Sequence, residues 1–153
     1  MTMLVVEPLF LDTNVLVQAT QVTAPLHQVT RAAVEAAFAR GCELWISRQV
    51  LREYLAVLSR PQTYTAPLDA ATLARRVQQF EVQFAVADDD ARVTAQLVAL
   101  LHQFPTGGRQ VHDVNIVATM LVYGVPQLLT HNTDDFVRFA GLITVQPVLP
   151  PLP

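Results

Sequence analysis

A handful of acidic positions carry the residue types and surroundings for chemistry on a charged substrate. Asp12 ends the apolar run Leu9-Phe10-Leu11 and is followed at once by Thr13 and Asn14. Glu53 interrupts a mostly apolar stretch formed by Val50, Tyr54, Leu55, Val57 and Leu58. Asp113 stands one turn before Ile116 and Val117, and Asp134 and Asp135 follow Thr130-His131-Asn132-Thr133. Each has a plain structural explanation when taken alone. Asp12 or Thr13 can cap a helix, and Glu53 can face water beside Arg52 or Arg60. Asp113 can complement a helix N-terminus for under about 1 kcal/mol, and Asp134 and Asp135 can be turn residues. Brought to one place, however, three or four carboxylates would repel strongly in a partly desolvated pocket, and a divalent cation would remove that cost. Oxygen donors without a Cys/His cluster favour Mg²⁺ or Mn²⁺ over zinc.

The elements that must position these acids can be read from apolar periodicity. Strands are expected at 9–11, 43–47, 82–87 and 127–130, with a further edge strand at 142–145. Between them the spacing predicts helices starting near Val15 and over 27–40, 48–59, 69–80, 88–104, 112–123 and 133–139. The helix at 27–40 carries Val29, Ala32, Ala33, Ala36, Ala37 and Phe38 as its apolar residues and is stopped by Gly41. Strands alternating with helices argue for an α/β fold with a central, mostly parallel sheet of four to five strands, covered on both faces. In such sheets ligands bind beyond the carboxyl ends of the strands. Asp12 and the 130–135 segment would both lie at that edge, Asp113 at a helix start facing it, and Glu53 within reach of it.

Composition narrows the class. A chain of 153 residues suits one domain, expected over 1–146, with a Pro-rich extended tail at 147–153. Hydrophobic residues make up 52 % and charged residues 15 %, which fits a sheet buried on both faces or a surface covered by a partner. No apolar run reaches the roughly 18 residues of a membrane helix, and the first residues lack the basic region of a secretion signal. With Cys42 alone no intrachain disulfide can form, so a reducing, cytoplasmic home is expected. A net charge of −3 does not advertise nucleic-acid binding, although every basic residue is Arg, which suits bidentate phosphate contacts.

Four segments together resemble the PIN-domain ribonucleases, especially the toxins of bacterial VapBC toxin–antitoxin pairs. They are Phe10-Leu11-Asp12-Thr13-Asn14-Val15-Leu16, Ile46-Ser47-Arg48-Gln49-Val50-Leu51-Arg52-Glu53-Tyr54, Val111-His112-Asp113-Val114-Asn115-Ile116-Val117-Ala118 and Leu128-Leu129-Thr130-His131-Asn132-Thr133-Asp134-Asp135-Phe136. The resemblance implies a three-layer α/β/α PIN-like fold and Mg²⁺- or Mn²⁺-dependent hydrolysis of RNA. It places Asp12, Glu53 and Asp113 on the family's most characteristic acids. Asp12 and Asp113 would be direct metal ligands, with Glu53 binding through water or orienting it. The family often has a further acid where this chain has Asn132, so Asp134 is taken as the fourth catalytic acid, with Asp135 the other candidate. Asn14, Ser47, Thr130 and Asn132 would support these groups, and Arg48, Arg52 and Arg109 could touch the RNA backbone. A cognate antitoxin and a homodimer are the implied protein partners.

Other readings compete. Asn132 leaves room for a non-catalytic PIN-like interaction module. A receiver-like phospho-acceptor role for Asp12 would want a Lys after the last strand, and the chain has none. His112 beside Asp113 is assigned to capping or solvent rather than to general-base work. His27, His102 and His131 show no ligand spacing, and Asp88-Asp89-Asp90 is read as complementing a helix dipole.

Overall fold

The computed structural model of the chain describes residues 7–150. Its sheet has five strands, β1 Leu9–Leu11, β2 Leu44–Ser47, β3 Ala85–Ala87, β4 Gln127–Thr130 and β5 Thr144–Pro147. They lie in the order β3-β2-β1-β4-β5, and every pairing is parallel. The register sets Leu9 of β1 against Leu44 on one side and Gln127 on the other. Phe10, Leu11, Ile46 and Leu128 are completely buried, as a parallel sheet covered on both faces requires.

The connecting helices are α1 Thr13–Thr20, α2 His27–Ala39, α3 Arg48–Leu58, α4 Ala70–Gln83, α5 Ala91–Gln103, α6 Gln110–Tyr123 and the single turn α7 Thr133–Phe136. Contacts separate them into α1 to α4 on one side and α5 to α7 on the other. That division follows from right-handed crossovers running first from β1 towards β3 and then back across to β4 and β5. The three-layer α/β/α architecture expected from the sequence is therefore present, with a sheet that is wholly parallel.

Local chemistry explains where the helices begin. Asp12, Ser47, Asp69 and Asp90 cap α1, α3, α4 and α5, each accepting a backbone N–H in the first turn. The helix expected to open at Asp88 begins at Ala91: Asp90 caps it, while Asp88 and Asp89 precede it and pair with Arg48 and Arg52. At the end of α6, Gly124 adopts φ 68°, the left-handed conformation that closes a helix at low cost to glycine.

Three further boundaries differ from expectation. The strand expected at 82–87 is confined to Ala85–Ala87, because α4 continues through Gln83. Phe80 and Phe84 pack with ring centroids 5.9 Å apart, and the Phe84 N–H bonds the Phe80 carbonyl. Val82, expected in the sheet, is instead 87 % exposed on that helix. The edge strand starts two residues late because Leu142 and Ile143 both donate to the Phe139 carbonyl, and it extends into the expected tail, pairing Pro147 with Thr130. A terminal position on an edge strand is where proline is tolerated. The helix expected at 133–139 tightens after Phe136 into a 3-10 turn, Val137–Phe139. On α2, Ala37 is buried but Phe38 is 73 % exposed, so Phe38 does not belong to the inward face. Residues 1–6, read for a secretion signal, and 151–153 of the tail lie outside the described residues. Among those described, no helix is long and apolar enough to cross a membrane.

Candidate active site

The strand order reverses between β1 and β4, whose connections leave in opposite directions. A crevice opens at such a switch point above the carboxyl ends of the strands. Asp12 follows the end of β1, and Thr130 closes β4 beside it. The Thr130 hydroxyl donates to Asp12 Oδ2 at 2.7 Å, the Asn14 amide donates to the same oxygen at 3.1 Å, and the Thr13 N–H donates to Oδ1 at 2.8 Å. Asp12 is thus the cap of α1 and a wall of the crevice at once. Asn14 accepts the His131 N–H at 3.0 Å, and the Asn132 N–H donates to Thr130 Oγ1 at 3.0 Å, so the strand ends are laced together.

Glu53 reaches the crevice from α3. Thr13 Oγ1 donates to its Oε2 at 2.6 Å and Gln49 Nε2 to its Oε1 at 2.7 Å, which restrains both carboxylate oxygens. Gln49, one turn before Glu53, also donates to the His112 carbonyl at 2.8 Å and accepts from Asn115 Nδ2 at 2.7 Å. The sequence reading did not single it out. Its signal was the helical spacing of four residues from Glu53, which puts the two side chains on one face. With only 5 % of its surface exposed, Gln49 ties α3, which carries Glu53, to α6, which carries Asp113.

Asp113 lies in the first turn of α6, half-buried. Burial first, then the charges on Asp12, Asp135 and Glu53, push its pKa up to about 6 against a weaker opposing pull from Arg138. Burial also raises the Asp12 pKa and Glu53 adds to the shift, while the bonds from Thr130, Thr13 and Asn14 oppose it. Four carboxylates from four parts of the chain therefore share one field. No ion pair involves Asp12, Glu53, Asp113 or Asp135 among the described residues.

Asp135, and not Asp134, contributes to the upward shift at Asp113. Asp134, the sequence choice, lines a different groove with Val137, Ile143 and Val145 between α7 and β5. Of Asn132, Asp134 and Asp135, only Asn132 lines the crevice itself. Ser47 does not join it: its hydroxyl accepts the Val50 N–H at 3.3 Å, the capping role.

The crevice is an open cleft of about 620 Å³, bordered by Asp12, Glu53, Asp113, Arg60, Tyr64 and Arg109 among others. Of the arginines proposed from sequence, only Arg109 belongs to it. Arg48 is paired with Glu81 and Asp88, and Arg52 with Asp89. Arg60 and Tyr64 were not anticipated, because nothing in the sequence says that the loop after α3 folds back over Glu53. His112 lines the cleft, and its backbone carbonyl is the Gln49 acceptor.

The donor set suits a hard divalent cation: carboxylates supported by hydroxyl and amide groups, without thiolate or a cluster of imidazoles. As the side chains stand, no three His, Cys, Asp or Glu residues among those described close on a single point tightly enough to grip an ion. Asp12 and Glu53 instead spend their oxygens on neighbouring donors. The like charges that raise the Asp113 pKa are what a bound cation would offset, so the chemistry of these donors fits such an ion.

A family model for the PIN domain matches residues 9–142. No curated protein sequence matches the chain. Solved structures of similar fold include the sarcin-ricin-loop-cleaving toxin VapC20 of Mycobacterium tuberculosis, at TM-score 0.66 and 18 % identity over 91 % of this chain and 99 % of that one. VapBC from Salmonella typhimurium bound to DNA gives 0.64 at 20 % identity, covering 94 % and 99 %. VapBC2 from Rickettsia felis bound to a fragment of its promoter gives 0.63 at 21 % identity, covering 91 % and 97 %.

Proposed function

The chain belongs to the PIN-domain family, and from that premise we propose that it is a Mg²⁺- or Mn²⁺-dependent endoribonuclease, the toxin of a type II toxin–antitoxin pair. The observation that carries this reading is the meeting of Asp12, Glu53 and Asp113 in one cleft at the sheet's switch point, with no ion-pair partner among the described residues. Neighbours solved as VapBC complexes, and one described as cleaving the sarcin-ricin loop, support the toxin assignment.

Asp12 and Asp113 would hold the cation directly, with Glu53 and Asp135 at its margin. When bound, the cation supplies charge neutralisation for the phosphodiester and a more acidic water. The chain does the rest. Thr130 and Asn14 aim the Asp12 carboxylate, and Thr13 and Gln49 hold Glu53 in one rotamer, where it can orient a water and take up its proton. Val17, buried and bordering the cleft, keeps part of its wall apolar.

An antitoxin has a surface suited to it. An apolar depression of about 650 Å³ between α3 and α4, lined by Leu55, Leu73 and Val77, shares Ala56 with the cleft. A segment docked there could extend an arginine to the unpaired acids. A homodimer and a cytoplasmic location complete the proposal.

Cleavage of RNA by antitoxin-free protein tests it, comparing wild type with Asp12→Asn in Mg²⁺, Mn²⁺ or EDTA. Only the wild type with metal should cut, and equal cleavage by the variant would sink the mechanism. Asn132, at the place where the family often has an acid, favours the alternative of a non-catalytic module. That alternative gains if wild type neither binds Mn²⁺ nor cuts.

A further inference from the structure

Chemistry at the acids does not explain how an anionic strand stays in an acidic cleft on a chain of net charge −3. Of its ten arginines, Arg31, Arg48, Arg52 and Arg92 each form an ion pair with a carboxylate. The other six form none among the described residues, and of these only Arg60 and Arg109 border the cleft. Arg60 spends one donor, Nε, on the Ala56 carbonyl at 3.1 Å, which leaves its terminal nitrogens free. Arg109 immediately precedes α6, one turn before Asp113. Arg60 follows α3, the helix that carries Glu53. Two arginines without ion pairs therefore stand on the border of the acidic cleft.

Directly after Arg60 the chain builds a platform. The loop after α3 is closed by an antiparallel bridge in which Gln62 and Thr65 exchange backbone hydrogen bonds of 3.0 and 3.4 Å. The turn is tied to α3 twice, by Gln62 Nε2 on the Val57 carbonyl at 2.8 Å and by the Leu68 N–H on the Leu58 carbonyl at 2.9 Å. Tyr64 occupies the turn, half-buried, with its ring packed against the core and bordering the cleft. An aromatic ring restrained in this way, next to an unpaired arginine, is the combination by which proteins hold single-stranded nucleic acid.

We propose that Arg60, Tyr64 and Arg109 form the strand-holding rim of the cleft, with the arginines contacting phosphates and Tyr64 stacking on an unpaired base. The substrate class is an unpaired RNA segment, since a base held in a duplex has no free face to offer Tyr64. The rim rests on the ribonuclease reading for its purpose, but its binding can be measured without catalysis.

The test is binding of a short labelled oligoribonucleotide of mixed sequence to protein in EDTA, across a salt series, as single strand and as duplex. Arg60→Gln and Arg109→Gln should each flatten the slope of log K against log salt by about 0.7. Tyr64→Leu should weaken single-strand binding about 5- to 100-fold with little change in slope, and Tyr64→Phe should restore it. Arg52→Gln, whose guanidinium is already paired, should match wild type. Circular dichroism on each variant separates lost binding from lost fold. Unchanged slopes in both arginine variants, equal losses in Arg52→Gln, stronger binding of the duplex, or no salt-dependent binding by wild type would each overturn the rim. Cleavage of the same oligoribonucleotide in Mn²⁺ separates the two ideas. Binding without cleavage defeats the nuclease and leaves the rim, whereas cleavage with unchanged slopes defeats the rim alone.

Discussion

Two groups of acids in this molecule lie near carboxyl ends of strands, and they are treated in opposite ways. Asp88, Asp89 and Asp90 follow β3, face solvent to differing degrees and are matched by Arg48, Arg52 and Arg92. Asp12, Glu53 and Asp113 gather beyond β1 and β4, where Asp12 and Glu53 receive hydroxyl and amide donors and none of the three has an ion pair among the described residues. Both groups place like charges close together, yet only the first is matched by ion pairs among the described residues. Under the proposed function, the first group is complete and the second is the one that receives a cation from outside.

That contrast can be broken most forcefully with metal. Thermal unfolding of the wild type should shift upward with Mn²⁺, by the equivalent of about 2.7 kcal/mol at a hundred times the dissociation constant. Asp113→Asn should lose the shift and Asp89→Asn should keep it. An equal shift in all three proteins would mean that the two acid groups are alike.

Next in size is Gln49→Leu, which leaves Asn115 and the His112 carbonyl without their partner and frees one oxygen of Glu53. Denaturant titration should show a loss of about 1–3 kcal/mol. Retained stability would show that the two helices bearing Glu53 and Asp113 are positioned by other contacts.

The pH dependence sharpens the comparison further. Asp113 has a folded pKa of about 6, above the ordinary aspartate value of 3.8, so the folded state binds its proton more tightly than the unfolded chain does. Stability of the metal-free protein should fall as pH rises from about 4 through 6, and the fall should shrink in Asp113→Asn. Asp90 has the opposite sign, its pKa lowered chiefly by the Arg92 hydrogen bond. Its contribution is present above the ordinary aspartate range and is lost as pH falls. Urea titrations at several pH values measure both. The smallest effect is expected from Arg52→Gln, because the exposed pair with Asp89 contributes at most about 1 kcal/mol.

The sequence made one part of this contrast readable. Asp12 after a buried strand, and Ser47 and Asp90 before helices, obey local rules that survive into the fold. So does the alternation of strands and helices. What depended on tertiary placement did not come through. Asp134 and Asp135 are indistinguishable as adjacent letters, and the direction in which α7 leaves β4 decides between them. Arg48 and Arg52 resembled free phosphate contacts until α3 was set beside the β3 end, where Glu81, Asp88 and Asp89 occupy them. Arg60 and Tyr64 required knowledge of a turn closed by backbone bonds that no side-chain pattern announces. Val82 shows the limit of apolar runs, since a β-branched residue beside Phe84 favoured a strand while the Phe80–Phe84 contact kept the helix going.

The bond from Thr130 to Asp12 spans 118 positions of the sequence. During synthesis, the strand end bearing Asp12 emerges first, and α1 to α6 follow before β4 can pair with β1. Until that pairing, Asp12 lacks its hydroxyl partner on Thr130, and the cleft between the two strand ends is not assembled. The acids are thus made in sequence, but the site they share is one of the last things the fold completes.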